Sequence, residues 1–362
     1  MNRLSSLSLV TGTACNFSCP YCLQRRDAKR LRFADIARFL DCLKPHLADE
    51  VWLGFHGGEP LLQWPLIERV TRHAARAGGV RFRFALTSNG SRLGREHIRF
   101  FRRHGFDLGI SCDGLAQAQR DAGSVAAVER ALEELRRLYP GGYTVLSVFT
   151  PATVPLLAAS VGSLMRRGHA RLRFALDAGA SWSRSDLAVF AGQLERLAEA
   201  ARRHRRRGVM PVENFLPGSG QGVFACAAGR GRLALLPDRS VWGCERIAAL
   251  AARHPGSRDI ARFRFGGLDE FAAGPERALA AAARALPPSQ DFFLASGGRM
   301  CGLCPELERC AVCPATAAWR GGVLGLLPGW VCRAARLVRQ AAERVQEGAP
   351  AAAKVEIFPA NG

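Results

Sequence analysis

The sequence predicts an α/β protein: a partial (β/α)6 barrel of TIM type over residues 1–210, a linker at 211–222, a small cysteine-rich domain at 223–345 and a tail at 346–362. Three observations carry that reading. Strand-like runs alternate with amphipathic helical runs up to about residue 208, and residues with unusual chemistry fall where those strands end. From Cys226 onward the alternation gives way to an irregular stretch holding seven cysteines.

Six strands are expected, in order, at "SLSLVTG", "VWLGFHG", "VRFRFALTSNG", "FDLGISCDG", "YTVLSVFTP" and "RLRFALDAG". The segments between them, such as "FADIARFLDCLKPHL", "PLIERVTRHAARAG", "REHIRFFRRHG" and "VAAVERALEELRRLY", repeat apolar residues at three- and four-residue spacing, the period of a helix with one buried face. Such alternation implies parallel strands with right-handed crossovers, and six units leave the barrel incomplete. Chemistry in these barrels gathers at the C-terminal strand ends. The N-terminal cysteines, "HGGEP", "TSNG", "SCDG" and "LDAG" all fall on that rim. "RRHRRRG" ends the last barrel helix with cations that suit its dipole, and "PVENFLPGSGQG" reads as the linker.

Of 362 residues, 48% are hydrophobic and 23% charged. No run approaches the roughly 20 apolar residues that span a bilayer, so a membrane-spanning reading is excluded. The opening "MNRLSSLSLVTGTAC" has too short an apolar run, broken by Ser5, Ser6 and Ser8, to be an export signal. A reducing, cytoplasmic location is expected, where twelve cysteines point to metal ligation over disulfides. The net charge of +20 is almost wholly arginine, which reads either as a solvated basic surface or as a face for an acidic peptide or nucleic acid.

Cys15, Cys19 and Cys22 stand in "CNFSCPYC". Three ligands are one short of a zinc site unless a residue such as His56 joins them. Three thiolates do suit a four-iron cluster with one iron left open. The Cys-x3-Cys-x2-Cys spacing, with Tyr21 before the last cysteine, resembles the radical S-adenosylmethionine (SAM) superfamily, in which the open iron binds SAM. Later motifs follow in that family's order. By the resemblance, Gly57, Gly58 and Glu59 of "GGEP" hold the SAM amino group, while Ser88, Asn89 and Ser111 at the next strand ends contact SAM. Each motif alone also reads as turn chemistry. Cys42 and Cys112 lack partners at ligand spacing and read as small core residues.

Cys226, Cys244, Cys301, Cys304, Cys310, Cys313 and Cys332 resemble the SPASM extension of radical SAM enzymes, which holds two auxiliary 4Fe-4S clusters. The resemblance implies one cluster on Cys301, Cys304, Cys310 and Cys332, and another, a ligand short, on Cys226, Cys244 and Cys313. With the SAM-binding cluster that makes three, and the C-terminal region an iron–sulfur domain. The family spaces its last close pair as Cys-x3-Cys, whereas here Cys310 and Cys313 are Cys-x2-Cys, a pairing that also suits a zinc ribbon.

SPASM enzymes mostly modify peptides or proteins. The resemblance therefore implies a maturase that oxidatively modifies a ribosomally made peptide, by cross-linking or related C–H functionalisation, through a 5′-deoxyadenosyl radical. The alternative is a sulfatase-type maturase that oxidises Cys or Ser to formylglycine, with the acidic residue after the second auxiliary cysteine as base. Glu245 of "GCERI" is that catalytic candidate, or else a surface residue paired with Arg246. Its longer side chain, and the lack of a further cysteine between Cys226 and Cys244, weigh against the sulfatase branch. An RNA-modifying radical SAM enzyme is a third reading. The implied partners are a peptide, its acidic leader held by the basic surface or presented by a separate leader-recognition protein, and an electron donor such as flavodoxin or ferredoxin. Neither a membrane nor a nucleic acid is expected as a partner.

Overall fold

The computed structural model describes residues 3–24, 27–205, 208–216, 226–285, 301, 304, 310, 312–324 and 326–347. The expected linker beyond 216, the run at 286–300 and the tail beyond 347 lie outside them.

Six strands, β1 (Leu4–Gly12), β2 (Leu47–Gly57), β3 (Arg81–Ser88), β4 (Asp107–Ser111), β5 (Tyr143–Phe149) and β6 (Leu172–Leu176), lie parallel, each beside the next. Their crossovers carry α1 (Phe33–Leu43), α2 (Trp64–Ala74), α3 (Arg95–Arg103), α4 (Val125–Leu138) and α5 (Leu157–Arg166), and α6 (Arg184–Arg205) follows β6. The helix expected to reach Leu47 stops at Leu43, and Leu47 instead pairs with Leu4 of β1. Pro45 accounts for the difference, since it cannot donate to the helical ladder, and Lys44–His46 tighten into a 3-10 turn.

The cysteine-rich region continues the same sheet. β7 (Arg232–Leu235) lies parallel against β1, and β8 (Ser240–Trp242) and β9 (Arg264–Gly267) add antiparallel strands, giving the order β6-β5-β4-β3-β2-β1-β7-β8-β9. The edge at β6 is covered by Asn214, whose side-chain amide accepts from Phe174 N at 2.9 Å and donates to Phe174 O at 3.0 Å, as a neighbouring strand would. Five further helices are described: α7 (Glu245–Arg253), α8 (Arg258–Ala261), α9 (Leu268–Ala273), α10 (Pro275–Ala285) and α11 (Pro314–Ala317). The last, α12 (Gly329–Gln346), packs on α6, with Ala334, Ala341 and Val345 in the barrel's apolar core and Arg344 paired to Glu195 at 3.1 Å. A second apolar cluster forms around Trp242, Ile247, Phe263 and Trp319.

Leu7, Leu9, Leu53, Phe55, Phe84, Leu86, Leu108 and Ile110 are buried on the alternate positions of the first four strands. On the other face, register sets Ser8, Gly54 and Ala85 side by side. Small residues there admit side chains over the sheet, such as the His56 ring over Gly54. No described helix is long and apolar enough to cross a membrane.

Candidate active site

The cysteine loop leaves the C-terminal end of β1 and is bound along its backbone by the glycine loop after β2. Gly58 N donates to Gly12 O and Glu59 N to Ala14 O, both at 2.9 Å. The approach is so close that a Cβ on Gly58 would stand 2.2 Å from the Ala14 carbonyl oxygen, and one on Gly57, at φ +151°, would stand 2.2 Å from that of Gly12. The two glycines are thus required by the cysteine loop itself. Gly58→Ala is expected to push that loop out, destabilising the fold by at least the ~1–3 kcal/mol of an overpacked site. It should also cost about four irons on anaerobic reconstitution. Gly78→Ala, where a Cβ meets nothing within 4 Å, is the silent control for both the melting curve and the iron assay.

Glu59 is buried and faces the chain itself. Its Oε1 accepts from Leu61 N at 3.0 Å and from Ser88 Oγ at 2.8 Å, and its Oε2 accepts from Asn89 N at 2.7 Å. Burial raises its pKa, against those three hydrogen bonds. A carboxylate has roughly four acceptor positions, so Glu59 keeps one for a further donor. Ser88 Oγ also accepts from Gly90 N at 3.0 Å, and the Asn89 amide donates to Asn16 Oδ1 at 3.0 Å with Cys15 Sγ at 3.9 Å. Three residues expected to touch SAM therefore lace the second and third strand ends to the cysteine loop. Ser111 ends β4 on the same rim, half-buried.

A buried ion pair, not anticipated from the sequence, anchors the loop from the other side. The Asp113 carboxylate accepts from Tyr21 Oη at 2.5 Å, Gln119 Nε2 at 2.8 Å, Val148 N at 2.8 Å, and Arg120 through Nε and Nη2, both at 2.8 Å. Arg120 lies with its guanidinium carbon 5.2 Å from the Tyr21 ring centre. Burial, then Asp113, keep the Tyr21 phenol protonated as the donor, against Arg120. The available signal was an acid and a base seven residues apart in a loop otherwise made of small and amide residues.

The thiols sort into three groups. Burial pushes the Cys19 thiol up, opposed by the Arg120 cation, and the neighbouring Cys22 and Cys15 push it further. Cys310 is raised by burial and then by Cys332, Cys301 and Cys304. Cys226 and Cys244 are raised first by burial, and Cys313 adds to both. Thiolates near one another repel and are stabilised by metal cations, so in chemistry the three groups are the donors for any metal held here. Among the described residues no group of three or more His, Cys, Asp or Glu side chains is arranged to hold a metal ion. Cys112 is buried in the barrel core, and the Cys42 thiol donates to Phe39 O at 3.3 Å.

Glu245 is buried at the start of α7, with Oε2 3.6 Å from Cys244 Sγ. The surface pairing with Arg246 is not what is found: Arg246 Nη1 donates to Thr316 Oγ1 at 3.2 Å. Burial penalises the Glu245 charge, but His56, Arg232 and Arg246 together outweigh it and hold its pKa below the usual value. His56 immediately precedes Gly57, and its ring folds back over Gly54, where a Cβ would lie 2.7 Å from Nε2.

Residues 9–155 match the radical SAM superfamily. A serine-type anaerobic sulfatase-maturating enzyme from Klebsiella aerogenes is 31% identical over 112 residues, 28% of either chain. The chain thus matches little more than a quarter of that relative's length. Among solved structures, anSMEcpe with bound AdoMet superposes with a TM-score of 0.71 at 17% identity, over 95% of this chain and 94% of that one. The same protein was also solved with AdoMet and the Cp18Cys peptide, at a TM-score of 0.68 and 16% identity over 95% and 98% of the two chains. Streptococcus suis SuiB bound to its precursor peptide SuiA gives 0.55 at 14% identity, over 92% and 76%. These likenesses are of fold. Residues 9–155 thus carry a radical SAM domain, and the sheet it forms runs on into a cysteine-rich C-terminal region.

Proposed function

We propose that this enzyme is a maturase that oxidises a ribosomally made peptide by cross-linking or related C–H functionalisation. The observation that carries it is the packing of the cysteine loop against the loop of Gly57, Gly58 and Glu59 on the barrel rim, with seven further cysteines beyond β6. Cys15, Cys19 and Cys22 would hold the cluster that binds SAM, and the two C-terminal groups would hold auxiliary clusters. When bound at the rim, SAM and the cluster would supply the radical chemistry that removes one substrate hydrogen atom. Gly57 and Gly58 bring backbone close to the cysteine loop, and Glu59 has an acceptor position for the SAM amino group. Ser88 and Asn89 hold Glu59 in place, with Ser111 as a further rim contact. Glu245 would take the proton of the second hydrogen, while the second electron leaves towards the C-terminal thiol groups. Two hydrogens are then lost as one atom, one proton and one electron. Peptides bound to anSMEcpe and SuiB support a peptide substrate, and the +20 charge supports an acidic one.

The burial of Glu245 beside Cys244 favours a second reading, oxidation of a Cys or Ser in a sulfatase. Both readings predict about twelve irons per chain after anaerobic reconstitution and a SAM-dependent loss of about two mass units. Fragmentation separates them, a change within a short co-expressed peptide supporting the first and a change at one Cys or Ser of a sulfatase the second. About four irons with stoichiometric zinc, or an RNA acquiring a SAM-derived group while peptides stay untouched, would reject both.

A further inference from the structure

Arg232 opens β7 in register with Ser6 of β1, and its Nε donates to Ser6 Oγ at 3.2 Å. Arg232 N donates to Ala227 O at 2.9 Å, beside Cys226, and, against its burial, the nearby Glu245, Cys244 and Cys226 groups favour the charged guanidinium. The fold brings these groups together through a tight backbone contact. Gly229 N donates to both Arg232 O, at 3.0 Å, and Gly243 O, at 3.1 Å. A Cβ on Gly243 would come within 2.8 Å of Gly229 N, so the turn that carries Cys226 is pressed against the strand that ends at Cys244.

The two C-terminal thiol groups differ in the cation each meets. The four-thiol group has Arg336, an exposed residue of α12, whose Nη2 lies 3.7 Å from Cys304 Sγ. Charge there is screened by water and salt. The three-thiol group has Arg232, half-buried where β7 pairs with β1. A guanidinium has no acceptor lone pair and stays protonated, so it cannot bind iron in place of a missing thiolate.

We infer that Arg232 is a positioning residue beside the Cys226–Cys244–Cys313 group, where its fixed positive charge sets the reduction potential of the cluster bound there. This rests on the reading that those three thiols bind a cluster. An Arg beside three thiolates, compared with a fourth Cys thiolate, changes the local charge by two units. Potentials of such clusters follow net charge and hydrogen bonds to sulfur, and a nearby cation favours the reduced, more negative state. The arginine therefore makes this cluster a better acceptor for the substrate's second electron.

The test compares wild type, Arg232→Lys and Arg232→Gln by iron content and by EPR-monitored redox titration of each reduced cluster. Wild type and Arg232→Lys should titrate together, whereas Arg232→Gln should keep its irons and shift one cluster, and only one, to a more negative potential. The signal of the SAM-binding cluster serves as the internal control for folding. An Arg232→Gln titration that overlays wild type would overturn the inference. Wild type with only about eight irons, unchanged by Cys226→Ala, would instead remove the reading beneath it.

Discussion

Replacing Cys15, Cys19 and Cys22 together by alanine is expected to bring SAM cleavage down to background while about eight of about twelve irons stay on the chain. The two sets lie in different apolar clusters, joined where Leu23, next to Cys22, packs against the C-terminal one. The rim thiols hang from the loop between β1 and α1, whereas Cys244 sits in the apolar cluster of Trp242, Ile247 and Phe263, with Cys301, Cys310 and Cys313 packed against it. Side-chain ties of the rim loop run to Asn89, Ser91 and Asp113, on the barrel side. Chromatography of 5′-deoxyadenosine with an iron assay on the same preparation gives the answer. A triple variant that still forms 5′-deoxyadenosine would show that the rim is not the SAM site.

The barrel was legible because six strand–helix units repeat one local rule, and because each rim motif stands where a strand ends. The loop at "GGEP" was legible as a site, though the physical reason for its glycines was not. They are set by the Gly12 and Ala14 carbonyls, which approach from another strand. Glu59 shows the same limit. Its charge and position read as a ligand for SAM, while its three partners, Leu61, Ser88 and Asn89, belong largely to the next strand end. Strands β7 to β9 escaped because runs of 4, 3 and 4 residues carry too little periodicity to read. They are strands only because the edge of β1 is there to pair with. Glu245 was readable as a charge next to Arg246 and not as buried, since the groups that make its burial tolerable, His56 and Arg232, are distant in sequence.

The anchor formed by Tyr21, Asp113 and Arg120 joins residues 92 apart in sequence, and its disruption should have the largest effect on the fold. Arg120→Met is expected to cost about 3–5 kcal/mol, because it leaves a fully buried carboxylate short of its cation. Asp113→Leu combined with Arg120→Met should cost less than either alone, since removing both charges leaves none uncompensated. Chemical denaturation of the three proteins measures the difference, and a double variant as unstable as the sum of the singles would mean that the pair contributes packing alone. Tyr21→Phe separates fold from site. It removes one hydrogen bond to a charged group, about 1.5–3 kcal/mol, and leaves Asp113 with Gln119, Arg120 and Val148 as donors. The fold should therefore survive, while the loop that carries Cys19 and Cys22 loses its tie to the end of β4. The expected sign is faster loss of the SAM-binding cluster's iron to a chelator, with the auxiliary signals unchanged. Tyr21→Phe that loses iron at the wild-type rate would confine Asp113 and Arg120 to holding β4 and β5, and leave the cysteine loop anchored by Asn89 and the glycine carbonyl contacts alone.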